Sequence, residues 1–81
     1  MEEVKEFKTR DMFLSACCMV EGIKYVRAER DAEDKRRLIF VFEDNPEISR
    51  IVTQRANATH IVSSVSYDDA LRRLKSIIHS L

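Results

Sequence analysis

The sequence predicts an α+β fold, a small single domain in which helices cover a three-stranded sheet. Residues 23–29 and 37–43 are two strand-like runs on either side of a charged connector, which indicates a β-hairpin. Apolar side chains of the second run point to both faces, Leu38, Phe40 and Phe42 to one and Ile39 and Val41 to the other. Such a strand favours the centre of the sheet. Three strands cannot bury their apolar side alone, so helices must cover at least one face of a mixed or antiparallel sheet.

The first strand is expected at residues 4–8, with Phe7 as its apolar anchor. Thr9 then offers an N-cap hydroxyl, and Asp11 places a negative charge in the first turn of a helix. Residues 12–20 are apolar on nearly every side, which predicts a core helix packed on more than one surface. Gly22, the only glycine, is placed to end this helix in the left-handed conformation.

The hairpin connector, residues 30–36, contains no glycine and no Asn-Gly pair, so we expect a longer loop instead of a two-residue turn. Further along, Asn45-Pro46-Glu47 supplies an N-cap, a proline at the first helical position and a carboxylate in the first turn. This triplet predicts the start of a second helix. The inward positions of that helix are Ile48, Ile51, Val52, Arg55 and Ala56.

Residues 59–65 are rich in β-branched side chains and are compatible with a short strand or a linker. A capping box is expected to begin at Ser66, and apolar residues then recur at intervals of three and four to the end of the chain, which predicts a last helix. The predicted order over residues 1–81 is therefore β-α-β-β-α-(short β or linker)-α, in one compact domain.

Length and charge restrict the function. A chain of 81 residues has room for one core. Fourteen basic residues balance fourteen acidic ones, so the global positive field of many small nucleic-acid binders is missing, although a local patch is compatible with the sequence. No apolar stretch approaches the ~18–20 residues of a membrane span, and no secretory signal is present. We expect a cytoplasmic protein without a membrane partner, and buried, reduced thiols at Cys17 and Cys18.

No catalytic, metal or cofactor motif is recognisable. The only histidines are His60 and His79; the first is expected to be partly exposed and the second to lie at the end of the last helix. Neither belongs to a nucleophilic triad pattern or to a zinc-ligand spacing. One glycine cannot build the glycine-rich loops that cradle phosphates. We therefore expect no catalytic residue, no cofactor and no metal ion, and a protein that is not an enzyme.

Two surfaces suggest binding functions of different kinds. Residues 12–20 and 38–42 offer more apolar faces than a short chain easily covers, which favours a protein partner or a homodimer, although cover by the last two helices within a monomer is equally compatible. The second surface is basic and would contact nucleic-acid phosphates if its members converge; they are Lys35, Arg36 and Arg37 at the hairpin and Arg72, Arg73 and Lys75 on the last helix.

Several segments carry a family resemblance: Phe7-Lys8-Thr9-Arg10-Asp11, the apolar helix after it, the strand that ends in Glu43-Asp44, and Tyr67 through Leu74-Lys75-Ser76. With these segments the chain resembles a family of short uncharacterised proteins from phages, other mobile elements and bacteria. The resemblance implies such an origin and carries over no functional residue. The sequence thus predicts a non-enzymatic small binding module for protein–protein interaction or self-association, with a nucleic-acid-associated regulator as the alternative.

Overall fold

The computed structural model describes residues 5–81 and confirms the predicted α+β order. Its elements are β1 (Glu6–Thr9), α1 (Met12–Val20), β2 (Tyr25–Arg30), β3 (Leu38–Glu43), α2 (Glu47–Ala56) and α3 (Ser64–Ser80). The strands form one antiparallel sheet in the order β1-β3-β2, so the doubly apolar strand lies in the middle, as predicted. Residues 59–63 form a linker without strand pairing. Val4, at the start of the predicted first strand, lies outside the described residues.

One face of β3 packs against the helices. Phe40 and Phe42 are almost fully buried, and they join a core to which α1, α2 and α3 all contribute. Phe42 is paired with Phe7 on β1 and with Tyr25 on β2, and the rings of Tyr25 and Phe42 meet edge to face with centroids 5.9 Å apart. This aromatic row ties both edge strands to the helix side of the sheet. The core helix α1 contributes Ser15, Ala16, Cys17 and Cys18 as fully buried residues.

The other face of β3 is covered by long charged side chains. Val41 has no exposed surface, although it lies outside the cluster formed with the helices. Lys8 and Arg27 are its neighbours across the sheet. The Lys8 Nζ lies 3.2 Å from Glu29 Oε1, and Arg27 donates to both carboxylate oxygens of Glu6 at 2.7 and 2.9 Å. These four side chains, the ion-pair ladder, join the two edge strands across β3, so their aliphatic stems shield Val41.

A β-bulge makes this ladder possible. Tyr25 pairs with Phe42 and Arg27 pairs with Val41, so Val26 is the extra residue of β2. The bulge places Tyr25 on the helix side and Arg27 on the ladder side, whereas regular alternation would put both on one face. The hydrogen bonds from Arg27 hold the pKa of the Glu6 carboxyl below its usual value, and those from Lys8 and Arg27 do the same for the pKa of Glu29.

Two helix starts differ from the prediction. The N-cap of α1 is Asp11, whose Oδ1 accepts from the backbone N–H groups of Phe13 and Leu14 at 2.9 and 3.1 Å. Thr9 instead accepts from the N–H of Asp11. Helix α3 begins at Ser64 with Ser63 as its cap, and the residue predicted as the cap, Ser66, supplies the capped N–H. In both cases another residue with a side-chain oxygen suited to capping lies near the predicted one, and the helix starts from that residue instead.

The starts and ends of α1 and α2 otherwise follow their local sequence. Asn45 Oδ1 accepts from the N–H of Glu47 at 2.8 Å, and Pro46 already has helical backbone angles, as the triplet predicts. Gly22 has φ +82°, which confirms its predicted left-handed conformation. The N–H groups of Gly22 and Ile23 bond to the carbonyls of Met19 and Cys18, which is a Schellman motif.

Helix α2 ends in the same motif with a less suitable residue. The N–H groups of Ala58 and Thr59 bond to the carbonyls of Arg55 and Gln54, and Ala58 takes φ +57°. A Cβ in the left-handed region costs about 1–2 kcal/mol. The motif therefore carries conformational strain at Ala58 that is absent at Gly22.

Exchanging the residue type at these two positions should have opposite effects. We expect Gly22→Ala to lower the free energy of unfolding by about 1 kcal/mol and Ala58→Gly to raise it by up to about 1 kcal/mol. A Cβ built on Gly22 meets no atom within 4 Å, so the effect of Gly22→Ala reports only the cost of the left-handed backbone conformation. Urea unfolding followed by circular dichroism measures both. Equal signs for the two variants would contradict the left-handed assignments.

Candidate functional site

The basic residues predicted to contact phosphates lie at two places. Lys35, Arg36 and Arg37 are exposed on the connector between β2 and β3. Arg36 Nε and Arg37 Nε lie 3.2 and 3.6 Å from the carboxylate oxygens of Asp34. The other three, Arg72, Arg73 and Lys75, are exposed on α3. On the connector, the carboxylate of Asp34 thus compensates part of the positive charge of the basic residues.

One arginine joins the connector to the end of α3. Arg30 donates from Nη1 to the Lys35 carbonyl at 2.9 Å and from Nη2 to the Leu81 carbonyl at 3.4 Å. Lys75 lies six residues before Leu81, which is about 9 Å along a helix axis. The connector therefore meets the C-terminal end of α3, and the basic residues of α3 begin between one and two turns away. On the same helix, Arg72 Nη1 lies 3.6 Å from Asp69.

Arg73 lies in a groove that follows α3. One part of it, about 200 Å³, is bounded by α3 and the end of α1; the other, about 490 Å³, also reaches β2. Arg73 and Met19 line both parts. This α3 groove is lined by Met19, Val20, Tyr25, Ser66, Asp69, Ala70, Arg73, Ser76, Ile77 and Ser80. Among residues 5–81 no carboxylate lies within 4.0 Å of Arg73. The part that reaches β2 is mainly apolar, whereas the part beside α1 also carries Ser66 and Asp69. The guanidinium of Arg73 lies where the two parts join.

A second cavity, about 350 Å³, lies between α1, α2, the linker and α3. This thiol cleft is lined by Cys17, Arg55, Ala58, His60, Val62 and Tyr67. Arg55 Nη1 donates to Cys17 Sγ at 3.3 Å. The linker contributes alternate residues to its wall, while Ile61 between them is 91% exposed. An extended segment with side chains on alternate sides explains this arrangement.

Sequence reasoning missed the thiol cleft. His60 is partly exposed as a whole residue, as expected, but its side chain is only 6% exposed, with Nε2 3.9 Å from Glu21 Oε2. The one sequence feature that indicates the cleft is Arg55, because it occupies an inward position of α2 among apolar residues. A charged residue on the buried stripe of a helix requires a polar partner or a ligand. The partner is a thiol, which no spacing rule predicts.

Burial shifts the pKa of Tyr67 in the cleft wall and of Cys18, the thiol next to Cys17 along the chain. Burial raises the pKa of the Cys18 thiol to about 11, which keeps it neutral at physiological pH. Burial also raises the pKa of the Tyr67 hydroxyl. Cys17 and Cys18 are both buried and free, which confirms the prediction of buried thiols. Hydrogen bonding to Arg50 lowers the pKa of Glu21, so this carboxylate beside His60 stays ionised.

Within residues 5–81, no three His, Cys, Asp or Glu side chains lie together as a metal site would require. None of the helices in this range is both long enough and apolar enough to cross a membrane.

Comparison with known proteins identifies the family. A family model described as a domain of unknown function, DUF5659, matches residues 4–80. Neither the curated proteins nor the solved structures yield a significant match. The resemblance to a family of uncharacterised proteins is thereby confirmed, whereas a phage or mobile-element origin is no part of the match. Because the match covers nearly the whole length, the chain belongs to the DUF5659 family of domains of unknown function.

Proposed function

We propose that this domain is a non-enzymatic binding module that recognises a segment of another protein in the α3 groove. The observation that carries the proposal is the position of Arg73, whose guanidinium lies where the apolar part of the groove joins the part that carries Asp69. Among the residues described, no carboxylate lies within 4.0 Å of Arg73. A bound segment with apolar side chains and one carboxylate satisfies both features at once. The groove follows one face of α3 from Ser66 to Ser80, about 21 Å along a helix axis, which suits an extended or helical peptide.

The walls of the groove support a peptide occupant. Met19 is a flexible thioether side chain that adapts to different apolar groups. Tyr25 and Ile77 supply further partly buried apolar surface, while serines of α3 supply hydroxyls along the rim. A self-associating chain would use the same surface, because Asp69 lines it together with Arg73 and gives it both signs of charge.

Selection of displayed random peptides on the full chain tests the proposal. We expect enriched peptides to carry apolar residues around one Asp or Glu. We expect Arg73→Glu to weaken their binding at least about tenfold, because like charges then meet in the groove. Lys75→Glu is the matched control, since it makes the same change of charge on α3 at a residue that does not line the groove. Binding is measured by fluorescence anisotropy.

Light scattering on the same proteins tests self-association. A dimer that Arg73→Glu dissociates and Lys75→Glu does not would identify a second copy as the occupant. A monomeric chain that enriches no peptide, or peptides that both variants weaken equally, would refute the α3 groove as a docking site.

The cellular setting belongs to the same proposal. Two buried free cysteines support a reducing, cytoplasmic compartment. The phage or mobile-element context rests on the sequence resemblance and is checked by inspecting the genes that flank those encoding family members. If phage and mobile-element genes flank the family's genes no more often than expected by chance, the phage or mobile-element context is refuted.

The second candidate is a nucleic-acid-associated regulator. The Arg30 hydrogen bonds favour it, because they hold the connector with Lys35, Arg36 and Arg37 beside the end of the helix that carries the other basic residues. Binding of random DNA and RNA should then weaken steeply with salt. Changing the three connector residues to Gln should reduce the salt slope by about one for each phosphate that the variant no longer neutralises. A slope unchanged in that variant would exclude the connector.

A further inference from the structure

Arg55 differs from most other arginines of the described chain. Arg10, Arg27, Arg36, Arg37, Arg50 and Arg72 each lie within 4.0 Å of a carboxylate. Arg55 is half-buried; it donates to Cys17 Sγ, and its guanidinium also lies within hydrogen-bonding reach of the Tyr67 hydroxyl. A thiol is a weak acceptor, and a guanidinium has five donors. The charge and most of the hydrogen-bonding capacity of Arg55 therefore remain available at the thiol cleft.

The nearest acids are engaged elsewhere. Asp11, whose charge acts on Arg55 from a distance, uses its carboxylate to cap α1. Glu21, beside His60, pairs with Arg50, which also contacts Glu47 Oε2 at 2.6 Å. Asp11, which lines a neighbouring pocket together with Arg55, offsets part of the charge of this guanidinium. No carboxylate is among the residues that line the thiol cleft, so Arg55 gives the cleft itself a positive charge.

The rest of the lining suits an anion of modest size. The Tyr67 hydroxyl adds a donor beside Arg55, and Val62 and Ala58 offer apolar surface on the linker side. His60 also lines the cleft, but its buried Nε2 lies 3.9 Å from Glu21 Oε2, so the contacts to an anion come from Arg55 and Tyr67. A volume of about 350 Å³ lies at the lower end of the range typical of small-molecule sites.

The backbone also supports a functional role for the cleft. Ala58 holds φ +57° where glycine would cost less, and it sits on the cleft wall. The strained turn directs the linker so that His60 and Val62 face Cys17 and Tyr67. Retained strain of this kind is frequent at ligand sites.

We infer that the thiol cleft binds a small organic oxyanion, a carboxylate or a phosphate monoester, with the anionic group on Arg55 and the Tyr67 hydroxyl. The remainder of the ligand lies against Val62 and Ala58. This site is distinct from the α3 groove and does not depend on the proposed protein partner, because Arg73 takes no part in it.

Titration of the 81-residue chain, monitored by NMR, tests the inference. The probes are benzoate and phenyl phosphate, each compared with chloride at equal ionic strength. We expect one of them to shift the Arg55 Nε–H resonance saturably, with a Kd of about 1 mM or tighter. The arm that saturates distinguishes a carboxylate from a phosphate monoester.

Variants identify the residue responsible. Arg55→Gln should weaken binding at least about tenfold, since charge-assisted hydrogen bonds are removed. Arg73→Gln is the matched control and should leave the affinity unchanged. Tyr67→Phe, which removes only a hydroxyl, should weaken binding severalfold and serves if Arg55→Gln fails to fold. The inference is overturned if neither probe gives a saturable shift of Arg55 in the unmodified chain, or if binding survives in Arg55→Gln.

The peptide site in the α3 groove and the anion site in the thiol cleft can be refuted independently of each other. Loss of peptide binding in Arg73→Glu with intact anion binding supports both sites as independent. Anion binding that disappears in Arg73→Gln and persists in Arg55→Gln would assign the anion to the α3 groove and refute the thiol cleft.

Discussion

Phe42→Ala is expected to lower the free energy of unfolding by about 3–5 kcal/mol. Phe42 has no exposed surface and lies on the central strand between Phe7 and Tyr25. Its removal leaves a cavity where the sheet meets the helices and also removes the edge-to-face contact with Tyr25. A domain of this length is stabilised by about 4–12 kcal/mol, so the variant should lose most of its stability.

Urea unfolding followed by circular dichroism measures this change. Phe13→Ala is the matched control, because Phe13 is 51% exposed on the first turn of α1. We expect the control to cost less than about 1 kcal/mol. Similar losses in the two variants would show that β3 is not the centre of the core.

Leu74→Ala should cost nearly as much, about 3–4 kcal/mol. Leu74 is fully buried on α3, where it packs in the same cluster as Phe42 and Ile51. The expected loss measures how firmly α3 covers the sheet and α1, since the helix alone contributes little stability in water. A molecule in which α3 merely lies on the surface would tolerate the change.

Leu81→Ala provides the control for this prediction. Leu81 follows the last turn of α3 and is 50% exposed. We expect its replacement to change the free energy of unfolding by no more than about 0.5 kcal/mol. The same denaturant measurement applies, and an equal effect of the two leucine variants would contradict the packing of α3.

Particular elements show how far the sequence determines this fold. The central place of β3 follows from apolar side chains at both alternating sets of positions, and the sheet order confirms it. Gly22 ends α1 as predicted, because a left-handed residue is needed there and glycine takes it without steric cost. The caps of α1 and α3 lie two and three residues from their predicted positions, since more than one residue near each start has a side-chain oxygen that can cap a helix.

The candidate sites could be predicted from the sequence to a smaller extent than the fold. Arg73 is among the predicted basic residues, but its place in a groove depends on how α3 lies against Met19 and Tyr25. The thiol cleft joins Cys17, Arg55 and His60, which are separated by up to 43 residues. Spacing rules apply within one helix or one motif, so they contain no information about such contacts.

By itself the sequence determined the secondary structure, the central strand and the absence of a recognisable catalytic pattern, because these depend on the periodicity and type of nearby residues. Tertiary structure decided which helices cover β3, how the ion-pair ladder shields Val41, and where Arg55 and Arg73 meet cavities. The physical reason is distance along the chain. Residues adjacent in the sequence determine turns and helix caps. A buried charge beside a thiol, or a charge in a groove, requires helices and strands that are distant in the sequence and come together only in the folded chain.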